Sequence, residues 1–272
     1  MCSRVVRGRE QLRVKWTGLE YSESTWEEED QVAGDAAGRV ALARFRRFSV
    51  RPDCGPPKPK RPSKGDVDAR RLPAFRNGRK LRNYQEESLH WMVSNYRGDF
   101  NGATWEPRNC LLGDEMGLGK TAQSISVMAW LRQFGKVQWP FLVVAPLTTL
   151  GHWQREIETW TDMNTVVYAG ARADRDIIRA TEFWHRGGSS GRGDPKPDFG
   201  PKFHVLLTSY ETVLKDTAAF RGFKFEAAIL DEAHRLKSRS SATRLALEDL
   251  NIHWLLLLSG TPVQNNMKEL QV

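Results

Sequence analysis

Nine residues, GDEMGLGKT at 113–121, follow directly on an apolar run at 110–112 and precede a helical pattern that begins near Thr121. A strand, a glycine-rich turn and a helix in immediate succession restrict both the local fold and its chemistry. Backbone N–H groups converge on a polyanion only where glycines tolerate unusual dihedrals and leave room for it. Gly117 and Gly119 supply that freedom. Lys120 supplies a cation for β- and γ-phosphates, Thr121 a hydroxyl for Mg²⁺, and Asp114, Glu115, Met116 and Leu118 the rest of the cradle. One departure stands out: the first glycine of G-x-x-x-x-G-K-[ST] falls on Asp114, one residue after Gly113. A plain glycine-rich turn is the competing reading.

The surroundings favour the phosphate loop. From residue 81 onward, short apolar runs at 110–112, 141–145, 166–168, 204–208, 227–230 and 254–258 alternate with amphipathic stretches at 84–96, 121–134 and 150–160. Apolar strands alternating with helices predict an α/β fold, a parallel sheet with helices on both faces. Residues 187–198, GGSSGRGDPKPD, read as a loop insertion.

Two further motifs follow apolar runs. DEAH at 231–234 places Asp231 to hold Mg²⁺ through water and Glu232 to polarise an attacking water. On its own such a pair is more often a solvated loop end; its place on another strand of the same sheet as Lys120 reverses that expectation. SGTPVQNN at 259–266 puts Ser259 and Thr261 at the same edge, in position to sense a γ-phosphate through Glu232 or His234.

The charge is uneven. Residues 1–35 carry 5 Lys/Arg and 8 Asp/Glu, a net −3; residues 36–80 carry 14 and 3, a net +11; residues 81–272 carry 22 of each. The surplus therefore sits in one window, which contains RPDCGPPKPKRPSK at 51–64, five of whose fourteen residues are proline. This predicts an extended basic linker over 51–80. Such a linker suits a nuclear import signal at 58–64 or a track along DNA phosphates. The three cysteines, Cys2, Cys54 and Cys110, have neither disulfide-framework nor zinc spacing and point to a reducing compartment. The longest apolar run, 254–258, is far below the roughly 20 residues of a membrane span.

Ahead of the linker, Leu12, Val14 and Trp16 alternate with Arg13 and Lys15 as in a strand, and a second strand is expected near 24–27. Val40, Ala41, Arg44, Phe45 and Phe48 recur at helical spacing. This makes a very small domain over 1–50, marginal on its own.

Taken in order, LRNYQ (81–85), GDEMGLGKT, VVAPLTTLGHWQREIETW (143–160), LLTSYE (206–211), LDEAHRLK (230–237) and SGTPVQNN resemble the Snf2 group of superfamily 2 helicase-like ATPases. LRVKWTGLEYSESTWEEED at 12–30 is similar to the middle and end of a chromodomain, an order of modules that points to the chromodomain-helicase-DNA-binding (CHD) remodellers. The resemblance implies a RecA-like first lobe over 81–272, preceded by a partial chromodomain of short antiparallel strands and a helix. It implies ATP and Mg²⁺ as cofactors, with Lys120, Asp231 and Glu232 catalytic, Thr121 and Asp231 holding the metal, and Gln85 reading the adenine edge. It also implies Thr148, Thr149, Thr208 and Ser209 near a DNA phosphate track, and Trp16 as one wall of a methyl-lysine cage. The implied protein is a nuclear, ATP-dependent chromatin-remodelling motor acting on duplex DNA and nucleosomes, with histone tails as further partners. The chain is expected to be a fragment that lacks the first chromodomain strand and the second RecA-like lobe. Without that lobe's arginine fingers, worth roughly 10³–10⁵ in rate, it is expected to turn ATP over poorly. A strand-separating helicase and a non-catalytic chromatin-binding scaffold are the alternatives.

Overall fold

The computed structural model describes residues 2–6, 8–49, 70–100, 105–185, 200–236 and 242–260. Residues 51–69 of the linker, the 187–198 insertion and Thr261 lie outside these. The chain forms two compact units: residues 1–57 with 168–203, and residues 58–167 with 204–272.

The first unit opens with an antiparallel sheet in the order β1 (Ser3–Val6), β2 (Arg9–Val14), β3 (Thr25–Glu28). Leu12 and Val14 point to one face of β2 and pack on Leu42, with Val32, Ala33 and Phe45 around them. Two helices complete this part, α1 (Glu29–Val32) and α2 (Ala36–Ser49), and an Arg46–Glu29 ion pair links them. The expectation that the first strand is missing is corrected, since β1 pairs with β2 from Ser3 opposite Leu12 to Val6 opposite Arg9. Its pattern escaped notice because β1 is an edge strand with little burial and no apolar alternation. The helix exists as expected, but its inward face differs. Val40 is 70% exposed, whereas Leu42, absent from the expected stripe, is buried.

The second unit begins earlier than the linker reading allowed. Ala74 exchanges two hydrogen bonds with the Gln133 side chain, Phe75 meets the Trp160 ring edge-on at 5.0 Å, and the Arg76 guanidinium donates to the Glu158 carbonyl. Residues 74–76 are therefore docked chain. Helix α3 (Asn83–Arg97) follows, then a two-strand ribbon, β4 (Asp99–Phe100) with β5 (Trp105–Glu106), and β6 (Cys110–Leu112). Helix α4 (Lys120–Gln133) is buried on every side from Ala122 to Leu131, which explains its lack of a polar face. After β7 (Phe141–Val144) and a 3₁₀ turn (Leu147–Thr149) comes α5 (Leu150–Trp160), which buries Leu150, Trp153, Ile157 and Trp160 at helical spacing. Strand β8 (Thr165–Tyr168) leads to residues of the first unit, among them α6 (Arg172–Ile178) and a π-helical turn (Arg179–Phe183). The second unit resumes with β9 (Val205–Thr208), α7 (Tyr210–Lys215), α8 (Thr217–Phe220), β10 (Lys224–Phe225), β11 (Ala227–Leu230), α9 (Ala242–Glu248), β12 (Asn251–Ile252) and β13 (Leu255–Leu258).

The main sheet runs β6-β13-β11-β7-β9-β8, and each pairing from β6 through β9 is parallel. Every residue of β7, β9 and β11 is buried, as strands covered on both faces must be. The α/β expectation holds, all six apolar runs are strands and all three stretches are helices, but the amphipathic reading of 121–134 is corrected, since α4 is buried all round. Cys2 and Cys110 are buried free thiols, and burial pushes the Cys110 thiol up to about 12. No helix among the described residues is long and apolar enough to cross a membrane.

Candidate nucleotide site at the carboxyl edge of the sheet

Because the strands are parallel, their carboxyl ends share one edge, where ligands of open α/β sheets collect. Three adjacent strands deliver three motifs there. GDEMGLGKT follows β6, Ser259 and Gly260 follow β13, and Asp231 and Glu232 follow β11.

The glycine-rich loop is built for close approach. Gly119 caps α4 in the left-handed region (φ 80°, ψ 38°), and Gly117 has φ 88°. A Cβ on Gly119 would lie 2.5 Å from Gln85 Nε2, the end of a side chain that can turn aside, so it is the left-handed backbone that requires glycine there. Gly113 meets nothing within 4 Å and has no positive φ. Gly119→Ala should therefore destabilise the second unit by about 1–2 kcal/mol from the left-handed strain alone. Thermal melting against Gly113→Ala, expected to be near neutral, checks this.

Lys120 sits at the first turn of α4, and its ammonium donates to the carbonyls of Asp114 (2.7 Å) and Glu115 (3.1 Å). Gln123, fully buried, ties the Asp114 carboxylate (2.9 Å) to the Leu118 carbonyl (3.3 Å). Gln85, for which the resemblance implies adenine reading, has both ends of its carboxamide engaged within the chain. Its Oε1 accepts from the Arg82 N–H (3.0 Å) and its Nε2 donates to the Leu118 carbonyl (3.2 Å), so here it braces the loop. Tyr84 donates to the same carbonyl at 3.2 Å. Glycines at positive φ, a lysine and the start of a buried fourteen-residue helix form a donor set that fits a phosphate-bearing ligand.

Asp231 is held on all sides. Its Oδ2 accepts from the Trp153 indole N–H (2.9 Å) and its Oδ1 from the Glu232 N–H (3.0 Å). Its own N–H donates to the Val144 carbonyl (2.8 Å), and its carbonyl accepts from the Tyr210 hydroxyl (2.6 Å). Glu232 is one of three non-glycine residues at positive φ among those described, at 53°, a strained conformation of the kind found at working sites. Its Oε2 lies 3.1 Å from His234 Nδ1. Ser259 is buried and its N–H donates to the Leu112 carbonyl, while a Cβ on Gly260 would come 3.1 Å from Met116 and 3.8 Å from Lys120 Nζ. The turn after β13 is thus brought against the glycine-rich loop.

The four residues expected along a DNA track divide. Thr148 is exposed and Thr149 half-buried. Thr208 and Ser209 are buried, and the Ser209 hydroxyl caps α7 by accepting from the Thr212 N–H at 3.2 Å. The expectation is corrected for those two, whose side chains are turned inside the fold. In the first unit, Trp16 is 44% exposed, with its indole donating to Thr25 Oγ1 at 2.9 Å. The Lys15 ammonium lies 5.6 Å from the Tyr21 ring. Sequence reasoning assigned no role to Trp153, Tyr210 or Gln123. The first two carry a legible signal, an aromatic just past a strand-end turn.

Comparison with known proteins agrees with this geometry. The SNF2-related domain matches residues 84–272, and the chromo domain matches residues 1–42. The chain is 36% identical over 258 residues to chromodomain-helicase-DNA-binding protein 6 of Rattus norvegicus, covering 94% of this chain and 9% of that protein. It is 37% identical over 261 residues to chromodomain-helicase-DNA-binding protein 8 of Homo sapiens, again 94% of this chain and 9% of the relative. The chain thus spans about a tenth of the length of these relatives. The SWI2/SNF2 ATPase core of Sulfolobus solfataricus, solved with double-stranded DNA, shares the fold with TM-score 0.57 and 24% identity over 75% of this chain and 36% of that one. With a glycine-rich loop, an Asp-Glu pair and a small-residue turn on three adjacent strands, and a family match over 84–272, the chain belongs to the SNF2-related family and carries a chromodomain-type segment ahead of that domain.

Proposed function

We propose that the second unit is the ATP-binding lobe of a nuclear, ATP-dependent chromatin-remodelling motor that hydrolyses ATP to translocate on duplex DNA in nucleosomes. The convergence of the three motifs on β6, β13 and β11 carries this reading. The printed names of the relatives, chromodomain-helicase-DNA-binding proteins, support DNA and chromatin as partners.

In this reading the loop N–H groups and Lys120 receive the β- and γ-phosphates, which replace the Asp114 and Glu115 carbonyls as partners of the ammonium. The Thr121 hydroxyl and the Asp231 carboxylate are the residues that would hold Mg²⁺. That ion, bound with ATP, supplies neutralisation of the phosphate charge. Glu232 accepts a hydrogen bond from the attacking water and orients it, with His234 beside its carboxylate. Ser259 and Gly260 sit where a change at the γ-phosphate is felt by β13. Thr148 and Thr149 face the DNA track, and Trp16 offers an aromatic wall to a histone tail.

The test is equilibrium binding of a fluorescent ATP analogue with Mg²⁺. Lys120→Ala removes a charge-assisted contact and should weaken binding by about tenfold or more without changing the melting temperature. Binding that is absent, or equal in wild type and variant, would favour the non-catalytic scaffold instead. ATP-driven strand displacement would favour a helicase.

A further inference from the structure

The carboxyl edge of the sheet is divided. Strands β6, β13 and β11 carry the nucleotide motifs, and the next two strands, β7 and β9, carry the turns with Thr148–Thr149 and with Thr208–Ser209. Asp231 directly follows β11, which pairs with β7 as far as Leu230 opposite Val144. Each of these two turns is followed within a few residues by an aromatic side chain that ends on Asp231. Trp153, four residues after Thr149 in the first turns of α5, donates its indole N–H to the carboxylate. Tyr210, the first residue of α7 after Ser209, donates its hydroxyl to the Asp231 carbonyl.

Both partners are buried. Trp153 is 1% exposed and Tyr210 is 4% exposed. A buried indole cannot follow a displaced helix by exchanging its partner for water, so a shift of α5 must move the carboxylate or break a buried hydrogen bond. From this geometry we infer that Trp153 is a positioning residue that transmits occupancy of the turn at 147–149 by duplex DNA to Asp231, and that Tyr210 is a second positioning residue that fixes the Asp231 backbone for it. Neither residue touches nucleotide or DNA itself. Duplex DNA seated on 147–149 draws α5 into one of two discrete placements, and the carboxylate goes with it. This rests on the proposed function for both its output, the ATP site, and its input, DNA at Thr148 and Thr149, and adds to it the route by which DNA is sensed.

The experiment uses the full 272-residue chain. Its indole N–H resonances are recorded with ¹⁵N-labelled tryptophan, and that of Trp153 is identified by its absence in Trp153→Phe. A short duplex DNA added without nucleotide should shift this resonance. In parallel, the affinity for a fluorescent ADP analogue is measured with and without Mg²⁺ and with and without duplex. In wild type the duplex should change the Mg²⁺-dependent affinity by about fivefold or more, the lower end of ordinary site-to-site coupling. In Trp153→Phe and in Tyr210→Phe, which removes a single oxygen, the duplex effect should fall below about twofold. Affinity without Mg²⁺ should stay near wild type. The proposal is overturned if the Trp153 resonance ignores saturating duplex, if wild type shows no DNA effect, or if both variants keep it. If Trp153→Phe does not fold, Tyr210→Phe and the wild-type resonance decide. Nucleotide binding that survives Lys120→Ala overturns the ATP-site reading instead, and the duplex-induced resonance shift, which needs no nucleotide, still decides the relay.

Discussion

Replacing Trp254 by alanine should destabilise the second unit by about 3–5 kcal/mol, the usual cost of deleting a large aromatic from a packed core. Trp254 is fully buried immediately before β13. Its indole donates to the Arg108 carbonyl at 2.8 Å, and its ring meets Tyr96 edge-on at 5.7 Å. Its own carbonyl accepts from the Ala228 N–H on β11 at 2.9 Å. Alanine would leave a cavity beneath the two strands that deliver Ser259 and Asp231, and would strand the Arg108 carbonyl. Trp254→Phe keeps a ring and loses the N–H, so it should cost much less. Urea unfolding of the two variants, followed by a probe in the second unit, measures both. Equal, small losses would show that neither the cavity nor the lost hydrogen bond matters at this position. A further expected consequence is weaker nucleotide binding in Trp254→Ala below its unfolding midpoint, because β13 carries the turn that lies against Met116 and Lys120.

What was legible in the sequence follows from periodicity and from the chemistry of short motifs. The strands β7, β9 and β11 stood out because burial on both faces forces uninterrupted apolar runs. The glycine-rich loop stood out because Gly117 and Gly119 occupy positive φ, which few other residues tolerate. The strands' shared direction then brought Lys120, Asp231 and Ser259 to one edge without any tertiary information. Tertiary choices were hidden. The stripe on α2 admitted two phases, and only packing against Leu12 and Val14 selects Leu42 over Val40. Gln85 reads as a free polar residue near a nucleotide, yet its neighbours at 82 and 118 occupy both ends of its carboxamide. Thr208 and Ser209 look solvent-facing at a strand end, but both are buried, and α7 uses the Ser209 hydroxyl as a cap. Trp153 to Asp231 spans 78 residues, a pairing that no local pattern encodes. Asp174 belongs to the same class, joined to Ser22 across 152 residues.

Asp174 should prove the most sensitive polar position of the first unit. Its Oδ1 accepts from the Ser22 N–H at 2.8 Å and its Oδ2 from the Ala171 N–H at 2.9 Å, and the side chain is almost fully buried. The carboxylate thus fastens the turn before β3 to the start of α6, both within this unit. Gly170 makes room for it: at φ 99°, a Cβ there would lie 3.0 Å from Asp174 Oδ2. Burial alone would push this carboxyl up, but the hydrogen bonds from Ser22 and Ala171 outweigh that and hold it below the usual carboxylate range. A group whose pKa is lower in the folded state stabilises fully above its unfolded value, near 4, and loses that contribution as pH falls through the folded value. The first unit should therefore weaken in acid below about pH 4. Asp174→Ala should remove this acid dependence by weakening the unit at every pH. Two backbone N–H groups would lose their acceptor, at roughly 1–3 kcal/mol for each one left buried. Hydrogen exchange at the Ser22 amide reports on this contact alone. Protection in wild type should fall as the pH drops below about 4, the unfolded value of the carboxyl, toward its lower folded value. In Asp174→Ala it should be low throughout, and in Asp174→Asn, where one amide oxygen can serve only one donor at full strength, it should be intermediate and independent of pH. Wild-type protection that stays constant through this range would mean that the carboxylate's charge contributes nothing to the turn.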